Sequence, residues 1–268
     1  MGLTEKILLG LSAPERAVRA VLRKLNLGSF EFRLAFDAVP RPWFAYGMYQ
    51  AASLASSLNL KRVTAIEFGV AGGDGLVVME GLAAEIEKVI PIKFELYGFD
   101  TSEGLPRHED YRDLPYVWRQ GLYRMDVETV RSKLKRSDLI FGDVCETIPQ
   151  FLTEKTPAPI GFISFDLDYY SSTRSAFSIF EAPHSVILPR VVCYFDDVVG
   201  SDEQLHCEDV GELLAIREFN ESSEETKIRQ IMGLSSKRAV GCMWCVKMYA
   251  FHCFTHPQYN TYIGRPRE

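Results

Sequence analysis

Between residues 61 and 220 the chain alternates apolar, strand-like segments with helical ones, and each strand-like segment runs into glycines or an acid. RVTAIEFGV ends in glycines, FELYGFD in Asp100, and DLIFGD in Asp143. GFISFDLD ends in Asp166 and Asp168, and RVVCYFDDV in Asp196 and Asp197. Helical segments separate them: GLVVMEGLAAEIEKVI, VETVRSKLK, ETIPQFLTE and SSTRSAFSIFEA, with GELLAIREFNE after the fifth strand. Strands that alternate with helices demand right-handed crossovers and a parallel sheet. Nearly continuous apolar strands fit a sheet covered on both faces. Ligands of such sheets bind beyond the carboxyl ends of the strands, so these acids share one crevice.

The expected fold class is α/β: a Rossmann-like, doubly wound, mostly parallel sheet with helices on both faces. The tail RAVGCMWCVKMYAFHCF alternates like a C-terminal antiparallel strand or hairpin. A length of 268 residues suits one large domain over 61–268, preceded by an N-terminal helical extension over 1–60 that serves as a lid or an oligomer contact. Residues 12–28 of that extension read as a helix. Ser12 and Glu15 form a capping box, Gly28 is the stop, and Ala17, Val18, Val21, Leu22 and Leu25 form an apolar face for the domain or a partner subunit. A homo-oligomer is one use of that face, and a membrane-surface contact another.

A net charge of −6 and the lack of any long basic run argue against a nucleic-acid partner. No apolar run reaches the roughly 18 residues a bilayer span needs. Charges interrupt the N-terminal apolar patch, so no secretory signal or stable membrane insertion is expected and the location reads as cytoplasmic. Six thinly spread cysteines read as reduced thiols. Cys242-x-x-Cys245 with His252, Cys253 and His256 invites a zinc reading, but positions three apart on a strand face opposite ways.

The first strand leads into Glu67-Phe68-Gly69-Val70-Ala71-Gly72-Gly73-Asp74-Gly75. A strand, a glycine-rich turn and a helix cradle a nucleotide-type cofactor. The spacing is not G-x-G-x-x-G, and Glu67 would repel a pyrophosphate at the helix N-terminus. It would suit a cofactor with an ammonium and a sulfonium, as S-adenosylmethionine has. Asp100, followed by Thr101 and Ser102, can accept from ribose hydroxyls, and Gly142-Asp143 can meet an adenine amino group. Each acid alone is more often a helix cap or turn residue.

Asp166, Asp168, Asp196 and Asp197 crowd neighbouring strand ends. Unpaired carboxylates that close repel one another, and a hard divalent cation such as Mg²⁺ relieves that repulsion. The cation would make a substrate hydroxyl more acidic, and a carboxylate could take its proton. The bland alternative is that Asp166 or Asp168 caps the next helix.

The segments IEFGVAGGDG, YGFDTSEGLP, FDLDYYSST and FDDV, in this order, make the chain resemble the macrocin O-methyltransferase family over about residues 64–220. The resemblance implies a class I S-adenosylmethionine-dependent, metal-dependent enzyme that methylates a hydroxyl of a sugar or natural-product-like small molecule. It implies Asp166, Asp196 and Asp197 as metal ligands and Asp166 also as base. The link EAPHSVILPRVV is longer than the family pattern and lacks its Gly-Gly turn, which leaves Asp168 open as the ligand in place of Asp166.

His206 is a candidate second base, with a loop histidine the commoner fate. Trp43, Phe44, Tyr46 and Tyr49 are candidates for a lid, with burial in the core commoner. Arg41 and Arg107 could meet a substrate carboxylate or phosphate, with solvation the default. The competing functions are a nicotinamide-dependent oxidoreductase on the same kind of sheet and a non-catalytic protein that keeps the cofactor site.

Overall fold

The computed structural model describes residues 13–264. Ser12 and the Glu15 side chain, the expected capping box, lie outside the described residues. Three helices come first: α1 (Ala13–Lys24), α2 (Phe30–Ala35) and α3 (Pro42–Ser57). Then β1 (Arg62–Phe68), α4 (Asp74–Val89) and β2 (Lys93–Asp100) lead to a long irregular segment over residues 101–126. After it come α5 (Val127–Lys133), β3 (Asp138–Phe141), α6 (Val144–Glu154), β4 (Ile160–Phe165) and α7 (Tyr170–Ala176). The chain closes with β5 (Ile187–Phe195), α8 (Gly211–Ser222), β6 (Thr226–Gln230) and β7 (Met248–Cys253).

The seven strands lie in the order β3-β2-β1-β4-β5-β7-β6. The first five are parallel, and β7 runs antiparallel between β5 and β6. This is a Rossmann-like sheet, with the expected C-terminal antiparallel element. Side chains alternate across a strand. Val63, Ala65, Phe162, Leu188 and Tyr194 therefore join α2, α3 and α4 in one core. Ile66, Phe68, Ile163, Phe165 and Phe195 join α6, α7 and α8 in the other.

Four phenylalanines at or next to the ends of their strands set the register. Phe68 pairs with Phe99 and Phe165, and Phe165 pairs with Phe195. Their rings touch in a row, with centroids 4.9, 5.4 and 4.6 Å apart. All four side chains are fully buried. The residues directly after them (Gly69, Asp100, Asp166, Asp196) emerge at one level on one edge of the sheet.

Three expectations need correction. Only Met248–Cys253 of the tail is a strand; Ser235–Lys237 and Trp244–Lys247 are short 3₁₀ turns, because Trp244 Nε1 donates to Asp37 and Arg238 pairs with the same carboxylate. The outer strand is β6, which the alternation in the tail did not reveal. Cys242 and Cys245, expected as reduced thiols, are disulfide-bonded to each other across that turn, so their sulfurs do not form a zinc site. In α1, Val18, Val21 and Leu25 are half or more exposed, so the face does not pack on the body of the chain. Phe44, by contrast, is buried, and Trp43 stacks on Tyr194 at 5.7 Å. Among the described residues no helix is long and apolar enough to cross a membrane.

The packing of α3 on β4 is close enough to test. A Cβ at Gly47 would lie 2.2 Å from two ring carbons of Phe162, which is fully buried and edge-on to Phe44. Alanine is favoured over glycine in a helix by about 1 kcal/mol, but overpacking a rigid ring costs about 1–3 kcal/mol. Gly47→Ala is expected to lose about 1–2 kcal/mol in urea unfolding, and a gain in stability would refute this packing account.

Candidate active site

A cavity of about 340 Å³ opens at the carboxyl ends of the strands. Gly69, Ala71, Asp100, Thr101, Gly142 and Asp143 line one end of it. Asp166, Asp168, Ser172, Asp196 and Asp197 line the other. Leu105, Pro106, Trp118 and Tyr123, from the irregular 101–126 segment, form its roof.

The turn after β1 is built for close approach. Gly69 has φ +82°, and a Cβ there would fall 1.8 Å from the Asp166 carbonyl oxygen. Asp100 holds this turn. Its Oδ2 accepts from the Val70 and Ala71 backbone N–H groups at 2.9 Å each, and its Oδ1 from that of Ser102 at 2.6 Å. Asp143 caps α6 through the Cys145 N–H at 2.9 Å while still lining the cavity.

Glu67 does not line the cavity. It sits behind the turn, with its carboxylate against Gly75, where an added Cβ would lie 1.7 Å from Oε1. Oε2 is buried with no hydrogen-bond partner. Burial pushes its carboxyl up to about 8, against the opposing pull of Arg41. Gly72, Gly73 and Ser102 also stand outside the cavity wall.

Asp166, Asp196 and Asp197 bring one oxygen each to within 4.8 Å of one another. Alternation along β4 and β5 turns Asp166 and Asp196 toward the same face as Glu67. Asp168 is not in this trio. It lies in left-handed backbone at φ 59°, and its N–H donates to Asp197 Oδ2 at 3.0 Å. Burial, then Asp197 and Asp196, push the Asp166 carboxyl up to about 8. Burial, then Asp166 and Asp196, push that of Asp168 to about 7. Asp197 is raised well above the carboxylate range by burial and then by Asp168.

These acids fit a hard cation. A carboxylate has about four lone-pair positions. Asp196 spends one oxygen, Oδ1, on the Tyr194 hydroxyl at 2.5 Å and on Lys247 Nζ at 3.2 Å, leaving Oδ2 for another partner. Mutual repulsion in a buried site raises proton affinity, and a divalent cation relieves it without protonation.

Several residues that shape the site escaped the sequence reading. Glu212 is fully buried in the first turn of α8, and its Oε2 accepts the Asp197 N–H at 2.9 Å. Asp113 clamps the roof segment: its carboxylate accepts from Ser171 N–H and Oγ and from Glu109 N–H. Tyr116 pins it again by donating to the Gln204 carbonyl at 2.7 Å. Tyr123 faces the acids, whose charges, after burial, raise its phenol. The aromatic run YVWRQGLY is a local signal for Trp118 and Tyr123, while nothing local marks the contacts of Asp113, Tyr116 or Glu212. His206 does not line the cavity. Both its ring nitrogens are buried without a partner, and burial, then Lys247, hold it below the usual histidine range, so it is a neutral imidazole.

The sheet is Rossmann-like, and the cavity lies beyond the carboxyl ends of its parallel strands. The chain matches no protein-family model and no curated protein. Among solved structures it is similar to the O-methyltransferase NovP, at 13% identity and a TM-score of 0.53, with 79% of each chain covered. It is also similar to CalS11, a calicheamicin methyltransferase, at 21% identity and a TM-score of 0.49, covering 90% of this chain and 92% of that one. A third is an O-methyltransferase from Bacillus cereus in complex with SAH, at 15% identity and a TM-score of 0.43, with 92% of each chain covered. The likeness to NovP is one of fold.

Glu67 gives a pH signature. Its folded pKa of about 8 lies above the ordinary 4.5, so the folded state holds a proton that the unfolded chain has released. That stabilisation is complete below about pH 4.5 and is lost as the pH rises through about 8. Glu67→Gln should flatten the fall in stability across this window in denaturant titrations. An unchanged slope would show that Glu67 is ionised throughout.

Proposed function

We propose that this chain is an S-adenosylmethionine-dependent O-methyltransferase acting on a hydroxyl of a small molecule, assisted by a divalent cation. The observation that carries the reading is one cavity with Asp100 and Asp143 at one end and three carboxylates within 4.8 Å at the other. The name of NovP, an O-methyltransferase, points the same way for the acceptor atom. A sugar hydroxyl or a natural-product-like hydroxyl suits the half-apolar roof of Leu105, Pro106 and Trp118.

S-adenosylmethionine, when bound, supplies a sulfonium methyl group for transfer to oxygen. Asp100 stands where the ribose hydroxyls would lie, with lone pairs left after its three backbone bonds, and Asp143 where the adenine amino group would lie. Gly69, Ala71, Thr101 and Gly142 form the wall between them. Asp166, Asp196 and Asp197 would hold the cation, which supplies Lewis acidity toward the acceptor hydroxyl. Asp166 would also take the hydroxyl proton, through an oxygen not given to the cation. Burial of Asp166 and Asp197 keeps water from part of the site, which favours a step that cancels opposite charges.

Calorimetric titration tests the cofactor class. S-adenosylmethionine and S-adenosylhomocysteine should bind, and NAD⁺ should not, with and without Mg²⁺. Binding of NAD⁺ alone would replace this reading with an oxidoreductase, and binding of none would favour a non-catalytic role. With an acceptor in hand, Asp197→Asn should lower Mg²⁺-dependent turnover by about a hundredfold or more while cofactor affinity stays within a few-fold. Full activity in that variant would remove the cation from the account.

A further inference from the structure

A second cavity, of about 390 Å³, lies toward the antiparallel edge of the sheet. It opens between α3 and the face that β5, β7 and β6 turn toward that helix. Tyr46, Gln50 and Leu54, four residues apart, present one side of α3 to it. Opposite them, cross-strand pairing sets two rows of side chains on one face. Val192, Ala250 and Arg229 form one row, and Arg190 and His252 belong to the next. Arg190 stands five residues before Phe195, so roughly 16 Å of strand separates it from the carboxyl end of β5.

The two cavities differ in charge. Among the described residues, six aspartates and no lysine or arginine line the first, and two arginines and no acid line the second. An acid-free cavity of this kind stands out in a chain of net charge −6. Neither Arg190 nor Arg229 has an ion pair among the described residues. Arg190 is held in place: its Nη1 donates to the Tyr259 carbonyl at 3.1 Å, and its guanidinium lies 5.1 Å from the centroid of the Tyr259 ring. Its Nη2 is buried without a partner, so the charge has an anchor and no counter-ion. His252 Nδ1 shares a hydrogen bond with the Tyr259 hydroxyl at 2.9 Å. Burial, then Arg190, hold that imidazole below the usual histidine range. Arg229 is exposed, and the Gln50 amide has no hydrogen bond among the described residues. Ala51, Leu54, Val192, Ile231 and Ile263 supply apolar wall.

We infer that this cavity is a second ligand site, which takes a small organic carboxylate with its anionic group toward Arg190 and Arg229 and its apolar body against α3. A guanidinium is weakly hydrated, and its planar fork matches a carboxylate. Apolar walls strengthen the attraction by keeping the local dielectric low. A bare inorganic anion would leave those walls in water, whereas an aliphatic or aromatic body covers them. The site is independent of the cofactor reading of the first cavity, whose aspartates repel the same ligand.

Calorimetry on the full chain with 3-phenylpropionate, its neutral amide 3-phenylpropanamide and inorganic phosphate tests the assignment. The acid and the amide share one apolar body and differ in charge. The acid should bind more tightly than the amide by roughly tenfold or more, the usual worth of a charged hydrogen bond, and more tightly than phosphate. Arg190→Met should bring the acid and the amide to within about threefold of each other, and Arg229→Gln should remove part of the preference. Circular dichroism checks that the variants fold. If Arg190→Met does not fold, Arg229→Gln, at an exposed position, decides. Equal affinity for acid and amide, phosphate bound as tightly as the acid, a preference unchanged in Arg229→Gln, or no detectable binding of the acid would each overturn the inference.

Discussion

The row of phenylalanines at the ends of β1, β2, β4 and β5 is the constraint on which the site depends. A one-residue slip of any of these strands would flip its side chains to the other face. It would then put a phenylalanine where an acid stands and an acid into the core under α6 and α7. Burying an unpaired carboxylate there costs far more than the register energy of a few backbone hydrogen bonds. Buried aromatic contact and the exclusion of charge from the core thus favour the same register. The acids emerge level with one another because the rings beneath them are level.

That arrangement concentrates negative charge. Glu67, Asp166, Asp168, Asp197 and Glu212 all have carboxyls raised by burial before any neighbour acts on them. Two cations oppose them: Arg41 acts on Glu67 and Asp166, and Lys247 acts on Asp166 and Asp197 and pairs with Asp196. Two cations against five raised carboxyls leave the site either partly protonated or ready for positive ligands. On the proposed reading, a divalent cation and an ammonium-bearing cofactor would both answer that need.

The sheet and its crevice were legible because they rest on local signals. Strand-length apolar runs, the glycines after Phe68, and acids directly after a run can each be read within about ten residues. Asp166, Asp196 and Asp197 came together as their strand ends implied, and Asp168 turned aside because its backbone goes left-handed to reach Asp197. Glu67 was read as a cavity residue from its place near the end of β1; it lies two residues before the Gly69 turn, and its carboxylate packs against Gly75 behind it. The contacts made by Asp113, Tyr116 and Glu212 were not legible. Each binds a partner 15 to 88 residues away through a single polar group, and neither periodicity nor spacing encodes that.

The same contrast separates the floor of the site from its roof. The floor is built of strand ends locked by buried rings, so its geometry is shared by whatever binds there. The roof is a 26-residue irregular span, 101–126, anchored by Asp113 and Tyr116 and carrying Trp118 and Tyr123 over the acids. Loops on a rigid scaffold vary in sequence at little cost to the fold. On the proposed reading, chemistry common to the architecture resides in the floor, and selection among acceptors falls to the roof.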